Sequence, residues 1–122
     1  MTRGEDINIR LTGFAVNVIR LCARLSGSPA GAHIANQLMR SGTSCAANYA
    51  EVRGAESRKD FIHKLAVVLK ELNESLSWLT MAEQSGLVPS AIVHPLADEC
   101  DQLCRIISAS IQTASGRKKI NG

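Results

Sequence analysis

Residues 40–64 read RSGTSCAANYAEVRGAESRKDFIHK, and we interpret them as the end of one amphipathic helix, a tight break and the start of the next helix. Only in this stretch do polar residues fall on positions that a helix should bury. The buried seam of the first of these helices recurs alternately four and three residues apart, the spacing of closely packed helices. Its members are Ile34, Leu38, Ser41, Cys45, Asn48 and Val52.

Ser41 and Asn48 are the polar members of this seam, and burying them costs stability. Such residues are kept either because a satisfied hydrogen-bond network fixes the register of the helices or because they serve a functional site. Fixing the register is the best-attested role of polar seam residues. We therefore favour the structural interpretation here and keep the functional one open.

Apolar seams of the same kind run outward from this stretch in both directions and predict four helices. Their expected ranges are residues 5–25, 32–53, 57–85 and 90–115. Gly54 is predicted to cap the second helix in a left-handed conformation, and Ser57 and Ser90 are predicted to cap the N-termini of the third and fourth. Asp60 and Lys64 lie one helical turn apart and are expected to form an ion pair.

The composition favours a single helical domain. The chain has 122 residues, the length of one domain, and its 45% apolar and 20% charged residues are ordinary for a globular protein. Aromatic residues make up only 3%, so the core must consist of aliphatic side chains, which suits packed helices better than stacked sheets. We therefore expect an all-α, antiparallel up-down-up-down four-helix bundle over residues 1–122, with a basic tail at residues 116–122.

The same sequence argues against membrane insertion, secretion and metal binding. No run approaches the ~18 uncharged apolar residues of a membrane span, and residues 1–10 lack the apolar block of a signal peptide. We therefore expect a cytoplasmic protein without a membrane partner. The four cysteines contain no CxxC pair and the three histidines stand apart, so we expect free thiols, solvated histidines and no cofactor.

A basic stripe beside the seam of the first helix is the main candidate for a contact with nucleic acid. Arg3, Arg10, Asn17 and Arg24 follow one another at seven-residue intervals, and Arg20 lies one turn before Arg24. The alternative is a solvated flank that pairs with acidic residues of a neighbouring helix.

Three consecutive cations in the tail add to these candidates. A formal net charge of +3 and a pI near 8.8 permit phosphate contacts without requiring them. The predicted nucleic-acid-binding residues are Arg3, Arg10, Arg20, Arg24, Arg117, Lys118 and Lys119.

A second group of polar residues is predicted to join the second and third helices when these fold back on each other around residue 54. Its charges are mixed and nearly balanced, which suits a clamp that fixes register better than an anion site. We call this group the polar clamp; its members are Arg40, Ser44, Asn48, Glu51, Lys64 and Glu71.

No arrangement typical of a common enzyme is present: the chain lacks a Glu-x-x-His pair, HExxH, a Gly-rich phosphate loop and a nucleophile elbow. We therefore expect a non-enzymatic protein, and two hypotheses remain. The first is a nucleic-acid-binding protein that contacts backbone or shape, because so few aromatic residues disfavour base stacking. The second is an oligomerising scaffold whose subunit contact is lined by Ile62, Leu69, Val93 and Ile106.

The chain also carries a pattern of small and charged residues at fixed spacing. The pattern consists of Arg40-Ser41-Gly42-Thr43-Ser44, Ala47-Asn48, Glu51, Ser57-Arg58-Lys59-Asp60-Phe61, Lys64, Lys70-Glu71, Glu74 and Trp78-Leu79. It resembles the signature of the bacterial four-helix-bundle family of 23S rRNA intervening-sequence proteins, and the likeness covers about residues 10–110. Cys45 stands where a branched aliphatic residue is usual and Val52 where a small one is usual. Both are apolar exchanges.

The accessory variability proteins of diversity-generating retroelements are similar to that family. By this resemblance we expect a homopentamer with a basic surface, and RNA or DNA and a reverse transcriptase as its partners. Members of the family are encoded within insertions in the 23S rRNA genes of some bacteria. The resemblance therefore favours a nucleic-acid-associated accessory role over a bare scaffold.

Overall fold

The computed structural model describes residues 2–116 and forms four helices. These are α1 (Arg3–Leu25), α2 (Pro29–Val52), α3 (Arg58–Gln84) and α4 (Ser90–Ala114). Consecutive helices are joined by short loops and pack against each other along their lengths. The contact between α1 and α4 is much smaller than the contacts between consecutive helices. The chain is thus an all-α four-helix bundle, as the seams predicted.

Side-chain caps set where the first three helices begin. Thr2 and Glu5 form a reciprocal capping box, so α1 starts two residues earlier than predicted. Ser28 accepts the Gly31 N–H and precedes a proline, which starts α2 three residues earlier than predicted. Ser57 caps α3 as predicted, accepting the Asp60 N–H at 3.0 Å.

Two predicted caps were wrong. Gly54 does not adopt the left-handed conformation, since among residues 2–116 only Gly86 and Gly116 have positive φ. Its N–H instead bonds the Glu51 carbonyl at 3.0 Å in a tight turn. Helix α4 begins after Pro89 without a side-chain cap, and Ser90 is its first helical residue.

The core contains most of the predicted seam residues of the other helices and all of those predicted for α1, which are Ile7, Leu11, Phe14, Val18, Leu21 and Leu25. The seam of α2 departs at one place: Tyr49 is 6% exposed and Asn48 is only half-buried. Val93, predicted to line a subunit contact, is fully buried in the core, so that assignment was wrong. Ile62, Leu69 and Ile106 are half-buried.

Small residues in α2 let the neighbouring helices approach closely. A Cβ atom at Gly42 would lie 2.8 Å from Cγ1 of Val18, so only glycine fits this position of the α1–α2 contact. Ser41 is completely buried on the other side of α2, where its hydroxyl lies 2.8 Å from that of Ser75 in α3.

Candidate nucleic-acid interface

Arg10 is the most constrained member of the basic stripe. Its Nη2 lies 2.6 Å from Oε1 of Glu99 in α4, and its Nε donates to the other carboxylate oxygen at 3.1 Å. The same guanidinium donates to Gln102 at 3.2 Å. The hydrogen bond with Glu99 raises the pKa of Arg10, and the pair bridges the helices that touch least. Arg10 therefore holds α1 to α4, as the alternative interpretation of the stripe supposed.

Arg20 and Arg24 lie further along the same flank and are exposed. Neither forms an ion pair within residues 2–116. With Asn17 they border a groove of about 270 Å³ between α1 and α4. We call this the basic groove; it is lined by Asn17, Arg20, Leu21, Arg24, Ile92, Pro95, Leu96 and Glu99.

The basic groove carries two positive charges, those of Arg20 and Arg24, that no acid of its lining neutralises. Glu99, its one acidic lining residue, already accepts two hydrogen bonds from Arg10. Arg20 and Arg24 are one helical turn apart, so both guanidinium groups reach the same side of the groove. This arrangement suits a pair of phosphate contacts.

Arg3 lies at the opposite end of α1, apart from the basic groove. It borders a different cavity together with Arg53, a cation that the sequence did not single out. The four arginines of the stripe thus do not form one continuous surface in a single chain. The remaining candidates, Arg117, Lys118 and Lys119, lie outside the described residues.

The polar clamp is divided between two places along the α2–α3 contact. At the first, Arg40 Nη1 donates to Glu71 at 3.1 Å and Nη2 donates to Glu74. Trp78 Nε1 donates to Glu74 at 3.2 Å, and these bonds, that of Arg40 first, lower the pKa of Glu74. Ser44 donates to the Arg40 carbonyl of its own helix at 2.6 Å and so joins no second helix.

At the second place, Asn48, Glu51 and Lys64 border a shallow pocket of about 240 Å³. Lys64 bonds Asp60 of its own helix at 2.7 Å, as predicted, which lowers the pKa of Asp60 and raises that of Lys64. The buried polar link between α2 and α3 is the hydroxyl pair Ser41–Ser75. Sequence reasoning placed Ser41 in the seam, but its partner in α3 depends on the register of two helices.

The cysteines and histidines show no metal centre in the part of the chain that is described. Among residues 2–116, no three His, Cys, Asp or Glu side chains meet where they would hold an ion. Nor is any helix in this range long and apolar enough to cross a bilayer.

Fold and surface together define a class: an all-α four-helix bundle with ion pairs between helices and, within residues 2–116, arginines without ion pairs near both of its ends. The chain belongs to the 23S rRNA-intervening sequence protein family, whose model matches residues 9–109. The motif-based resemblance to this family is thereby confirmed. No curated protein matches the sequence.

A solved structure shares the fold. It is the crystal structure of a protein with unknown function from the S23 ribosomal protein family of Bacteroides thetaiotaomicron VPI-5482. The two chains are 27% identical, with a TM-score of 0.84, and the alignment covers 91% of this chain and 99% of the other.

Proposed function

We propose that this chain is a non-enzymatic, homo-oligomeric accessory protein of the cytoplasm that associates with nucleic acid through the phosphate backbone. Arg20 and Arg24 of the basic groove make the central contact. Family membership supports the association with an RNA-linked locus, and the groove provides the chemistry.

One observation carries this proposal. Arg20 and Arg24 are exposed, one turn apart, and form no ion pair within residues 2–116. Glu99, the one acid that lines the groove, is engaged by Arg10. Exposed cations are normally paired or dispersed on a bundle surface. Two adjacent unpaired guanidinium groups beside a groove provide bidentate donors for phosphate oxygens.

Recognition of this kind reads backbone and shape. The groove is lined by aliphatic residues and contains no aromatic side chain, so bases have no ring to stack on there. Contacts confined to phosphates carry affinity with little direct sequence information. A structured RNA presents closely spaced phosphates and is therefore the ligand that this surface fits best.

The resemblance to retroelement accessory proteins extends the proposal to assembly and partners. It implies a homopentamer and a reverse transcriptase as a protein partner. A ring would repeat the basic groove in every subunit, so that weak phosphate contacts act together on one nucleic acid.

The second candidate function, an oligomerising scaffold without a nucleic-acid role, is favoured by a different surface. Ile9, Val16 and Ile19 of α1 are 56%, 40% and 47% exposed, and Met39 of α2 is 40% exposed. Val18 meets Gly42 and Cys22 bonds the Ala35 carbonyl, so Met39 lies level with Ile19 across the α1–α2 groove. We call these four residues the apolar face, and a second copy of the chain is the partner we propose for it.

The nucleic-acid proposal is tested by titrating a structured RNA into the purified protein. Replacing Arg20 and Arg24 together by Gln should raise the Kd at least about tenfold, because hydrogen bonds to charged groups are lost. The matched control replaces the exposed Arg58 and Lys59 of α3 by Gln, which removes the same charge at the other end of the bundle. Equal affinities for the two variants would refute the assignment.

A further inference from the structure

A cavity of about 360 Å³ lies at the end of the bundle where α1 and α3 begin and α2 and α4 end. We call it the end pocket. Its apolar floor includes Ile7, Val52 and Phe61. Its polar border consists of Arg3, Tyr49, Arg53, Ser110 and Thr113, with Gly4 between them. A volume in this range, with an apolar floor and a few convergent polar groups, is typical of small-ligand sites.

Tyr49 contributes a hydroxyl group to the border of the cavity. The residue is only 6% exposed, and its hydroxyl forms no hydrogen bond with any atom of residues 2–116. A Cβ atom at Gly4 would lie 3.8 Å from this oxygen and 3.7 Å from Nη2 of Arg53. The hydroxyl and the guanidinium therefore converge beside Gly4, on the border of the cavity.

Three sources of positive potential meet at the same place. Arg3 and Arg53 form no ion pair within residues 2–116. Both border the cavity together with Tyr49, and their positive charges oppose the rise that burial causes in the pKa of Tyr49. The first turn of α1 adds backbone N–H groups without intrahelical partners, and Gly4 has no side chain to cover them.

The opposing charges in the first turn of α1 are Glu5 and Asp6, and both are exposed. Glu5 is already engaged, since its carboxylate accepts the N–H of Thr2 at 3.2 Å. Neither acid borders the cavity. The end pocket therefore has the charge of an anion site.

The floor of the pocket suits a planar ring. Phe61 and Tyr49, two of the four aromatic residues in the chain, both border it.

We infer that the end pocket binds a nucleotide, with its phosphate between Arg3, Arg53 and the Tyr49 hydroxyl and its base on Phe61 and Val52. This inference rests on the proposed function insofar as the nucleotide is the 5′ terminus of a bound strand. A free nucleoside monophosphate presents the same chemistry.

Calorimetric titration with uridine monophosphate, uridine and inorganic phosphate tests the pocket directly. The nucleotide should bind at least about tenfold more tightly than either fragment, because only the nucleotide contacts both the positively charged border and the apolar floor of the pocket. Tyr49→Phe, which keeps the ring, and Arg53→Gln should each weaken nucleotide binding about tenfold. Lys70→Gln, which removes an exposed cation of α3 that borders neither the end pocket nor the basic groove, should leave it unchanged.

A pair of oligonucleotides of one sequence, with and without a 5′-phosphate, separates the two sources. Tighter binding of the phosphorylated than of the unphosphorylated strand, with the difference lost in Tyr49→Phe, assigns the pocket to strand ends. Equal binding of the two strands assigns it to the free nucleotide.

The inference is overturned if the mononucleotide binds no better than its fragments, or if Tyr49→Phe and Arg53→Gln bind it as the unaltered protein does. Neither result touches the basic groove, whose failure would appear instead as an Arg20→Gln/Arg24→Gln variant with unaltered RNA affinity.

Discussion

At the scale of single residues, the four cysteines differ sharply in their surroundings. Burial raises the pKa of Cys22 to about 11 and that of Cys45 to about 12. A hydrogen bond with Cys104, together with burial, raises the pKa of Cys100, while the same bond lowers that of the half-exposed Cys104. The thiolate is the reactive form, so Cys104 is the thiol that the folded chain leaves available.

We therefore predict that iodoacetamide at pH 8 modifies one thiol per folded chain rapidly, and that Cys104→Ser abolishes this fast phase. In denaturing urea all four cysteines should react at similar rates. Mass spectrometry of the time course checks the prediction. Rapid modification of Cys22, Cys45 or Cys100 in the folded protein would contradict the burial described here.

At the scale of helices, the α1–α2 contact depends on the absence of a side chain at Gly42. Its Cβ position lies 2.8 and 2.9 Å from the two γ-methyl carbons of Val18. Gly13, another glycine inside a helix, has nothing within 4 Å of its Cβ position. Gly42 is therefore required by the packing of α1 against α2, whereas Gly13 is not, and Gly13 can serve as the control position.

Gly42→Ala should lower the free energy of unfolding by about 1–3 kcal/mol, because the added methyl group overpacks the helix contact. Gly13→Ala should raise it by about 0.5–1 kcal/mol, because alanine is the better helix former. Combining Gly42→Ala with Val18→Ala should recover part of the loss. Urea unfolding measures all three, and a Gly42→Ala protein as stable as Gly13→Ala would show that α1 and α2 are not this close.

The helices could be predicted well from sequence because their seams are periodic and long. The periodicity of a helix shows which of its faces is buried. It does not show which residues of that face contact which residues of the neighbouring helix. Asn48 was placed in the α2 seam by strict four-three spacing, whereas the structure continues the seam through Tyr49. The bond between Ser41 and Ser75, and that between Arg10 and Glu99, depend on the register of separate helices, which the spacing within one helix does not contain.

At the scale of the whole molecule, the apolar face formed by Ile9, Val16, Ile19 and Met39 was missed by the sequence analysis. The residues predicted to line a subunit contact were Ile62, Leu69, Val93 and Ile106, of which the structure buries Val93 and half-buries the others. The missed signal was the seven-residue spacing of Ile9 and Val16 on the side of α1 away from its seam. These residues form the surface that we propose as the contact with a second copy of the chain.

Light scattering tests whether this face joins copies of the chain. We predict a mass that is a multiple of 13.1 kDa, fivefold if the family resemblance holds, and a single-chain mass for Ile19→Glu. The control is Met81→Glu, which alters a residue of α3 with a comparable exposure of 43%. A monomeric wild-type protein, or an Ile19→Glu variant that assembles normally, would exclude the apolar face as the subunit contact.

The candidate nucleic-acid surface could be predicted only in part. The arginine stripe could be predicted from its heptad spacing, but the spacing does not show which arginines form ion pairs. Arg10 pairs with Glu99 of α4, whereas Arg20 and Arg24 form no ion pair within residues 2–116. The end pocket was not visible at all, because it combines the beginnings and ends of all four helices. The positions of arginines along one helix therefore identified the candidate nucleic-acid-binding residues. They did not show which of these arginines bridge two helices and which form no ion pair.

The most direct test of the central claim is the salt dependence of RNA binding by the unaltered protein and by the Arg20→Gln/Arg24→Gln variant. Each lost phosphate contact should reduce the slope of log Kd against log salt concentration by about 1. We predict that the variant's slope is shallower by about 2 per binding site, while the Arg58→Gln/Lys59→Gln control keeps the original slope. Identical slopes for the Arg20→Gln/Arg24→Gln variant and the unaltered protein would show that the basic groove does not contact nucleic acid.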